Sequence, residues 1–260
     1  MLSLTSSSPS IATIVGIRTI RFPIYGMEAA KTLSFTTLQL QPSASASSMT
    51  LSAVRGEQLV ESRPKPKPWL LVGLGNPGKM YRGTRHNVGF DMLDAIACAE
   101  GISVGTTRFK ALFGKGFIDD VPVILAKPQT FMNASGESVS QFVSYYDIPI
   151  SQVLVMYDDL DLPFASLKML PKGGHGGHNG MRNIIDRLKG NRDFPRLRIG
   201  IGRPPGKMDP VNFVLRAFNK NESNELNFTF QMGANAVRLL TKDGFDKSAK
   251  YVNTKKSLPI

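Results

Sequence analysis

The apolar positions of this chain change period along its length, and the changes mark out its elements. Residues 69–74 form a short apolar run stopped by glycines, the pattern of a buried strand. Helical spacing follows over 88–99, through Val88, Met92, Ala95, Ile96 and Ala99. Two apolar runs, 113–118 and 121–126, flank Asp119-Asp120 and predict a hairpin. Residues 134–146 read as a helix, 153–157 as a β-branched strand and 167–170 as another strand. A helix is predicted over 179–188, after which 196–201 alternates charged with apolar side chains. The last predicted helix sets Leu226, Phe230, Val237 and Leu240 on one face. Strands alternating with helices predict one α/β domain, and the hairpin makes its central sheet mixed, with helices flanking it. No internal repeat is visible.

The first 56 residues break this pattern. They are rich in Ser and Thr and carry Arg18, Arg21, Lys31 and Arg55 against one acid, Glu28. Ser-rich, Arg-bearing and acid-poor is the composition of an organelle transit peptide, expected to be disordered and excluded from the fold. Residues 57–68, ending in Arg63-Pro-Lys-Pro-Lys-Pro68, form an extended linker, because alternating prolines deny both helix and sheet ladder. The folded domain is therefore expected over 69–253, with 254–260 as a tail.

Charge and composition narrow the class. The chain has 32 basic and 20 acidic residues, a net charge of +12, which points to a polyanionic partner such as nucleic acid. Its distribution says more. Between Phe164 and Lys207 ten basic residues face only Asp186 and Asp193, a net of +8, and a segment this one-sided suits a phosphate backbone. A single cysteine excludes an internal disulfide framework, and Cys98 is expected to pack in the core of its apolar helix. No stretch reaches the roughly 18 unbroken apolar residues of a membrane span.

Gly73-Leu-Gly75-Asn-Pro-Gly78 satisfies the dinucleotide fingerprint straight after a strand. Its context argues against nucleotide binding. Gly83 disfavours a helix before about residue 86, and such a helix is what would face a pyrophosphate. Pro77 removes a backbone N–H from the loop, and the acid at the required distance, Asp94, falls inside a helix. The loop's other use is to bring Asn76 to the rim of a cleft.

Three histidines carry the candidate chemistry: His86 before a helix, and His175 and His178 within a glycine-rich loop. Nearby in the pattern are Thr130-Phe-Met-Asn133 and Asp158-Asp-Leu-Asp161, the latter at a strand end, where open α/β sheets place their sites. One reading is a metal site built from His175, His178 and a carboxylate. The other is general-base catalysis, in which an imidazole oriented by a carboxylate takes a proton from water while Asn76, Asn133 and Asn179 hold the substrate. No serine nucleophile elbow is present, so water is the expected nucleophile and hydrolysis the expected reaction.

The same residues carry a family resemblance. Val72–Gly78, Tyr81 with Thr84–Gly89, Lys127–Gly136, Asp158–Pro163 and Gly173–Gly180 resemble, in order, the motifs of the bacterial-type peptidyl-tRNA hydrolases, over about residues 69–253. The resemblance implies a monomeric esterase with no cofactor and no metal, which cuts the ester between a stalled peptide and tRNA. It implies His86 as general base, Asp158 as the group holding it, and Asn76 as a catalytic-site residue that helps exclude aminoacyl-tRNA with a free amine. Tyr81, Phe131, Asn133 and Asn179 match the family's substrate-binding positions, and the segment from Phe164 to Lys207, including Arg198, would hold tRNA phosphates. The best resemblance is to plant mitochondrial-type members, with the chloroplast as the alternative. Chloroplast intron-splicing factors that share the hydrolase fold resemble the chain too, and a non-catalytic RNA-binding subunit is the alternative function.

Overall fold

The computed structural model describes residues 66–254, so the expected transit segment, linker residues 57–65 and tail residues 255–260 lie outside it. Seven strands form one sheet: β1 (Trp69–Gly73), β2 (Thr106–Arg108), β3 (Ala111–Ile118), β4 (Val121–Pro128), β5 (Val153–Asp159), β6 (Leu167–Leu170) and β7 (Arg196–Gly200). Six α-helices accompany them: α1 (Val88–Ala99), α2 (Ser135–Tyr145), α3 (Asn179–Arg187), α4 (Pro210–Val214), α5 (Lys220–Asp243) and α6 (Phe245–Thr254).

The spatial order is β2-β3-β4-β1-β5-β7-β6. The four central strands β4, β1, β5 and β7 are parallel, while β3, β2 and β6 are antiparallel additions at the two edges. The expected mixed sheet is present, and its hairpin turns at Asp119-Asp120, where Asp119 takes a left-handed conformation (φ 49°).

Both faces of the sheet are covered, which is why the central strands read as continuous apolar runs. On β1, Leu71 packs with Leu93, Ile96 and Leu240 under α1, α5 and α6. Its neighbours Leu70 and Val72 turn the other way, against Phe142 of α2 and Ile184 of α3. This alternation follows from the two-residue repeat of a strand.

Some expectations need correction. Cys98 is exposed. The buried face of α1 is Val88, Met92, Leu93, Ile96 and Ala97, and a position about 100° further round the helix points to solvent. Ala99, read as part of the buried face, shares the phase of Val88 and Met92 but is exposed as the last residue of the helix. The helix bearing Leu226, Val237 and Leu240 is not the last: Gly244 (φ 91°) ends it, and α6 turns back to bury Val252. Strand β2 and helix α4, with three and five residues, are too short to leave a period in the sequence.

Candidate active site

The chain order β4-β1-β5 reverses direction about β1, and the crevice beyond the carboxyl ends of β1 and β5 is where such sheets bind ligands. A cleft of about 840 Å³ opens there, lined by Asn76 after β1, by Asp158 at the end of β5, and by His86, Phe131, Asn133 and Asn179. Six of the seven site residues expected from sequence thus converge. Tyr81 is the exception: it sits on the turn Lys79–Tyr81, where its carbonyl accepts from the Thr84 hydroxyl, and it does not line the cleft.

The loop after β1 does not cradle a phosphate through a helix. Two short turns, Lys79–Tyr81 and Arg85–Asn87, intervene before α1. Its glycines serve close packing instead: a Cβ at Gly75 would lie 2.7 Å from the Phe90 ring, and one at Gly89 would collide with the Met156 carbonyl and the Leu74 amide. Asp94 on α1 is bound to Lys127 at 2.6 Å.

This packing fixes Asn76. Asn87 donates from its carboxamide to the Asn76 carbonyl (2.9 Å) and accepts from the Asn76 N–H (2.8 Å). The Met132 N–H donates to Asn76 Oδ1 at 2.8 Å, so the Asn76 amide group is oriented and its Nδ2 donors are left without a protein partner among the described residues. Asn87 was not picked out from sequence, although it directly follows His86.

The buried carboxylate of Asp158 is the centre of the site. It accepts from His86 Nδ1–H at 2.9 and 3.0 Å, through both oxygens, and from His178 Nε2–H at 3.0 Å. The tautomers follow from the remaining bonds. Met181 N–H donates to His178 Nδ1 (3.2 Å) as His178 caps α3, so that nitrogen is unprotonated and Nε2 carries the hydrogen. His86 gives its Nδ1–H to Asp158, which leaves the Nε2 lone pair available at the cleft. Burial alone would push the Asp158 carboxyl up, but the two imidazoles hold it well below the usual carboxylate range. Burial opposes charge on His86, yet the Asp158 carboxylate and its hydrogen bond outweigh this and raise the imidazole above its ordinary value of 6.5.

A metal reading changes accordingly. His175 and His178 do not come together; His175 Nδ1 accepts from the Gly177 N–H within its own loop. Among the described residues, the one group with ligand spacing is His86, Asp158 and His178, whose ligand atoms lie within 4.8 Å of one another. Three of their four ring nitrogens are accounted for by hydrogen bonds to Asp158 and by the cap of α3, which leaves His86 Nε2 at the cleft.

The glycine loop is held from below by Arg196, which alternation along β7 made look like an outward charge. It is 1% exposed, and its guanidinium donates to the carbonyls of Gly173, Gly174, Arg192 and Phe194 at 2.7 to 3.2 Å. Gly176 and Gly177 turn the loop through left-handed conformations (φ 56° and 81°) that bring His178 back to Asp158. The basic segment is corrected at the same point. Arg196 faces inward, Arg198 is half-buried and paired with Asp159, and Arg203 is paired with Asp161, whereas Lys168, Lys172, Arg182, Lys189, Arg192 and Lys207 are exposed.

Comparison with known proteins places this geometry. The chain is 66% identical over 224 residues to the chloroplastic peptidyl-tRNA hydrolase of Arabidopsis thaliana, covering 83% of this chain and 78% of that one. It is 72% identical over 191 residues to the mitochondrial peptidyl-tRNA hydrolase of Oryza sativa subsp. japonica, covering 74% and 76%. A chloroplastic group IIB intron splicing facilitator of Zea mays is 50% identical over 186 residues, covering 72% and 73%. The crystal structure of peptidyl-tRNA hydrolase from Acinetobacter baumannii superposes with a TM-score of 0.69 at 35% identity, over 74% of this chain and 97% of that one. The peptidyl-tRNA hydrolase family model matches residues 70–259, and the chain that brings His86 to Asp158 at the end of β5 belongs to that family.

Proposed function

We propose that the protein hydrolyses the ester bond between a peptide and the tRNA that carries it, and so returns tRNA to translation. The observation that carries this reading is His86 held through Nδ1 by the buried Asp158, with Nε2 left at the cleft. His86 Nε2 takes a proton from water, and the water oxygen attacks the ester carbonyl carbon. Asp158 stabilises the imidazolium formed and keeps the ring oriented. The Asn76 Nδ2 donors, fixed by the Met132 N–H on Oδ1, meet the developing negative charge or the peptide amide beside it. On collapse the ester C–O bond breaks, and the ribose hydroxyl leaves with the proton from His86.

In this reading Phe131, Asn133 and Asn179 line the substrate path, and Tyr81 contacts parts of the substrate outside the cleft. Exposed bases of the segment from Phe164 to Lys207 hold tRNA phosphates, and the protein acts as a monomer without cofactor or metal. The organellar names of its relatives support residues 1–56 as a transit peptide, and we place the protein in the mitochondrion. A fluorescent fusion of residues 1–68 tests that placement, with chloroplast import as the outcome that overturns it.

The activity is tested by release of tRNA from N-acetylated aminoacyl-tRNA, with and without EDTA. Turnover resistant to EDTA is expected, and His86→Ala should lower kcat about 10³-fold. Full activity in that variant removes His86 from the mechanism. No turnover by the unaltered protein, with intron RNA bound instead, would favour the splicing-subunit alternative.

A further inference from the structure

The residue next to the catalytic histidine is engaged with a different part of the molecule. Arg85 is 7% exposed, and its side chain runs under the segment that carries α4. Its Nη1 donates to the carbonyls of Arg216 (3.2 Å) and Ala217 (2.8 Å), while Nη2 donates to Glu222 Oε1 at 2.6 Å. The guanidinium also lies over the rings of Phe213, at 4.5 Å, and Phe218, at 5.0 Å. Backbone bonds run in parallel: Arg85 N–H donates to the Arg216 carbonyl, Phe218 N–H to the Gly83 carbonyl, and Thr84 forms an isolated bridge with Ala217. Glu222 is itself fixed, because its other oxygen accepts from the Asn219 N–H in the capping box of α5.

The segment so tied has a face on the cleft. Val211, Val214 and Leu215 line it together with His86, and Val211 is 64% exposed despite being apolar. Beside the backbone bonds, one guanidinium donates to two carbonyls and a carboxylate and lies over two rings. The bonds that hold His86 to Asp158 are separate from this set.

We propose that Arg85 is a positioning residue that latches the 211–218 segment against the catalytic loop, so that the apolar side of the cleft is set in place for the acyl part of the substrate. The latch acts on binding of substrate and not on the proton transfer, since His86 keeps its own partner. A planar guanidinium is required, because an ammonium cannot reach two carbonyls and a carboxylate while lying over both rings. This inference rests on the hydrolase reading for its kinetic consequence but has a second readout that does not.

The test uses the full chain with Arg85→Met, Arg85→Lys and Glu222→Gln. With N-acetylated aminoacyl-tRNA, Arg85→Met is expected to raise KM about tenfold with kcat within about threefold and the pH profile unmoved. Arg85→Lys should not restore KM, and Glu222→Gln, whose single carbonyl oxygen can accept from Arg85 or from the Asn219 N–H but not from both, should raise it by a smaller factor. Amide hydrogen exchange should speed up at 211–218 in Arg85→Met, with exchange in the core strands unchanged. Unchanged KM and unchanged exchange overturn the latch, as does a fall in kcat at constant KM. If Arg85→Met does not fold, Glu222→Gln carries the test, and unaltered exchange at 211–218 in that variant overturns the proposal. If the unaltered protein shows no turnover, the hydrolase reading fails while the exchange comparison still decides the latch.

Discussion

A single carboxylate, Asp158, organises two histidines with different duties. His178 has both nitrogens committed, one to the helix end and one to Asp158, whereas His86 has one nitrogen free at the cleft. The pH dependence follows from this asymmetry. In the proposed mechanism His86 must be neutral to take the proton, and its pKa is raised above 6.5, so activity should fall as pH drops through a value above 6.5. Asp158→Asn removes the carboxylate charge and leaves the burial, so the acid limb of the kcat profile should move to lower pH while kcat itself falls. An acid limb that stays in place in that variant would show that another group titrates. His86, Asp158, Asn76, Asn133 and Asn179 were legible in the sequence because polar residues stood at strand ends and beside glycines. Asn87, Arg85 and Arg196 were not, because their partners are backbone carbonyls and side chains brought together only by folding. An arginine alternating with apolar residues, as Arg196 does on β7, reads as an outward charge until its four carbonyl acceptors are seen.

Among the elements, the decisive contact is between the end of β1 and the start of α1. Gly75 and Gly89 allow strand and helix to approach so closely that Asn87 can clamp the Asn76 backbone from both sides. A methyl group at Gly89 would press on the Met156 carbonyl of β5 and the Leu74 amide, both backbone atoms that cannot swing away. Gly89→Ala is therefore expected to cost about 2 kcal/mol of stability, measured as a lowered urea midpoint at constant slope. No change in midpoint would mean that the helix can shift without loss. The long elements were legible from period alone: α1 keeps its expected bounds, and α2, α3 and β5 differ by one or two residues at their ends. The strand order and the short α4 were not, because pairing between distant strands leaves no local signature.

At the scale of the whole molecule, charge is divided between an outer set of bases and an inner set already spent on the protein itself. Lys172, Arg192 and Lys207 are exposed, whereas Arg85 and Arg196 satisfy carbonyls in the interior. Binding to tRNA should weaken linearly in log Kd against log salt, and each exposed base that meets a phosphate contributes a slope of about 0.7 to 0.9. Lys172→Ala and Lys207→Ala should each reduce that slope, read by filter binding in graded KCl, and slopes unchanged in both would place the interface elsewhere. The two helical layers add a consequence of another kind. His86 leads into α1 on one face of the sheet, His178 opens α3 on the other, and Asp158 belongs to the strand between them. The three groups stand 72 and 20 residues apart in the chain and meet only when both helical layers pack on the sheet, and the apolar wall of the cleft waits further on Glu222 of α5. A protein that clears unfinished translation products thus has no assembled site until its own layers have packed. If it is threaded unfolded across an envelope, it carries no hydrolytic capacity through the compartment it leaves.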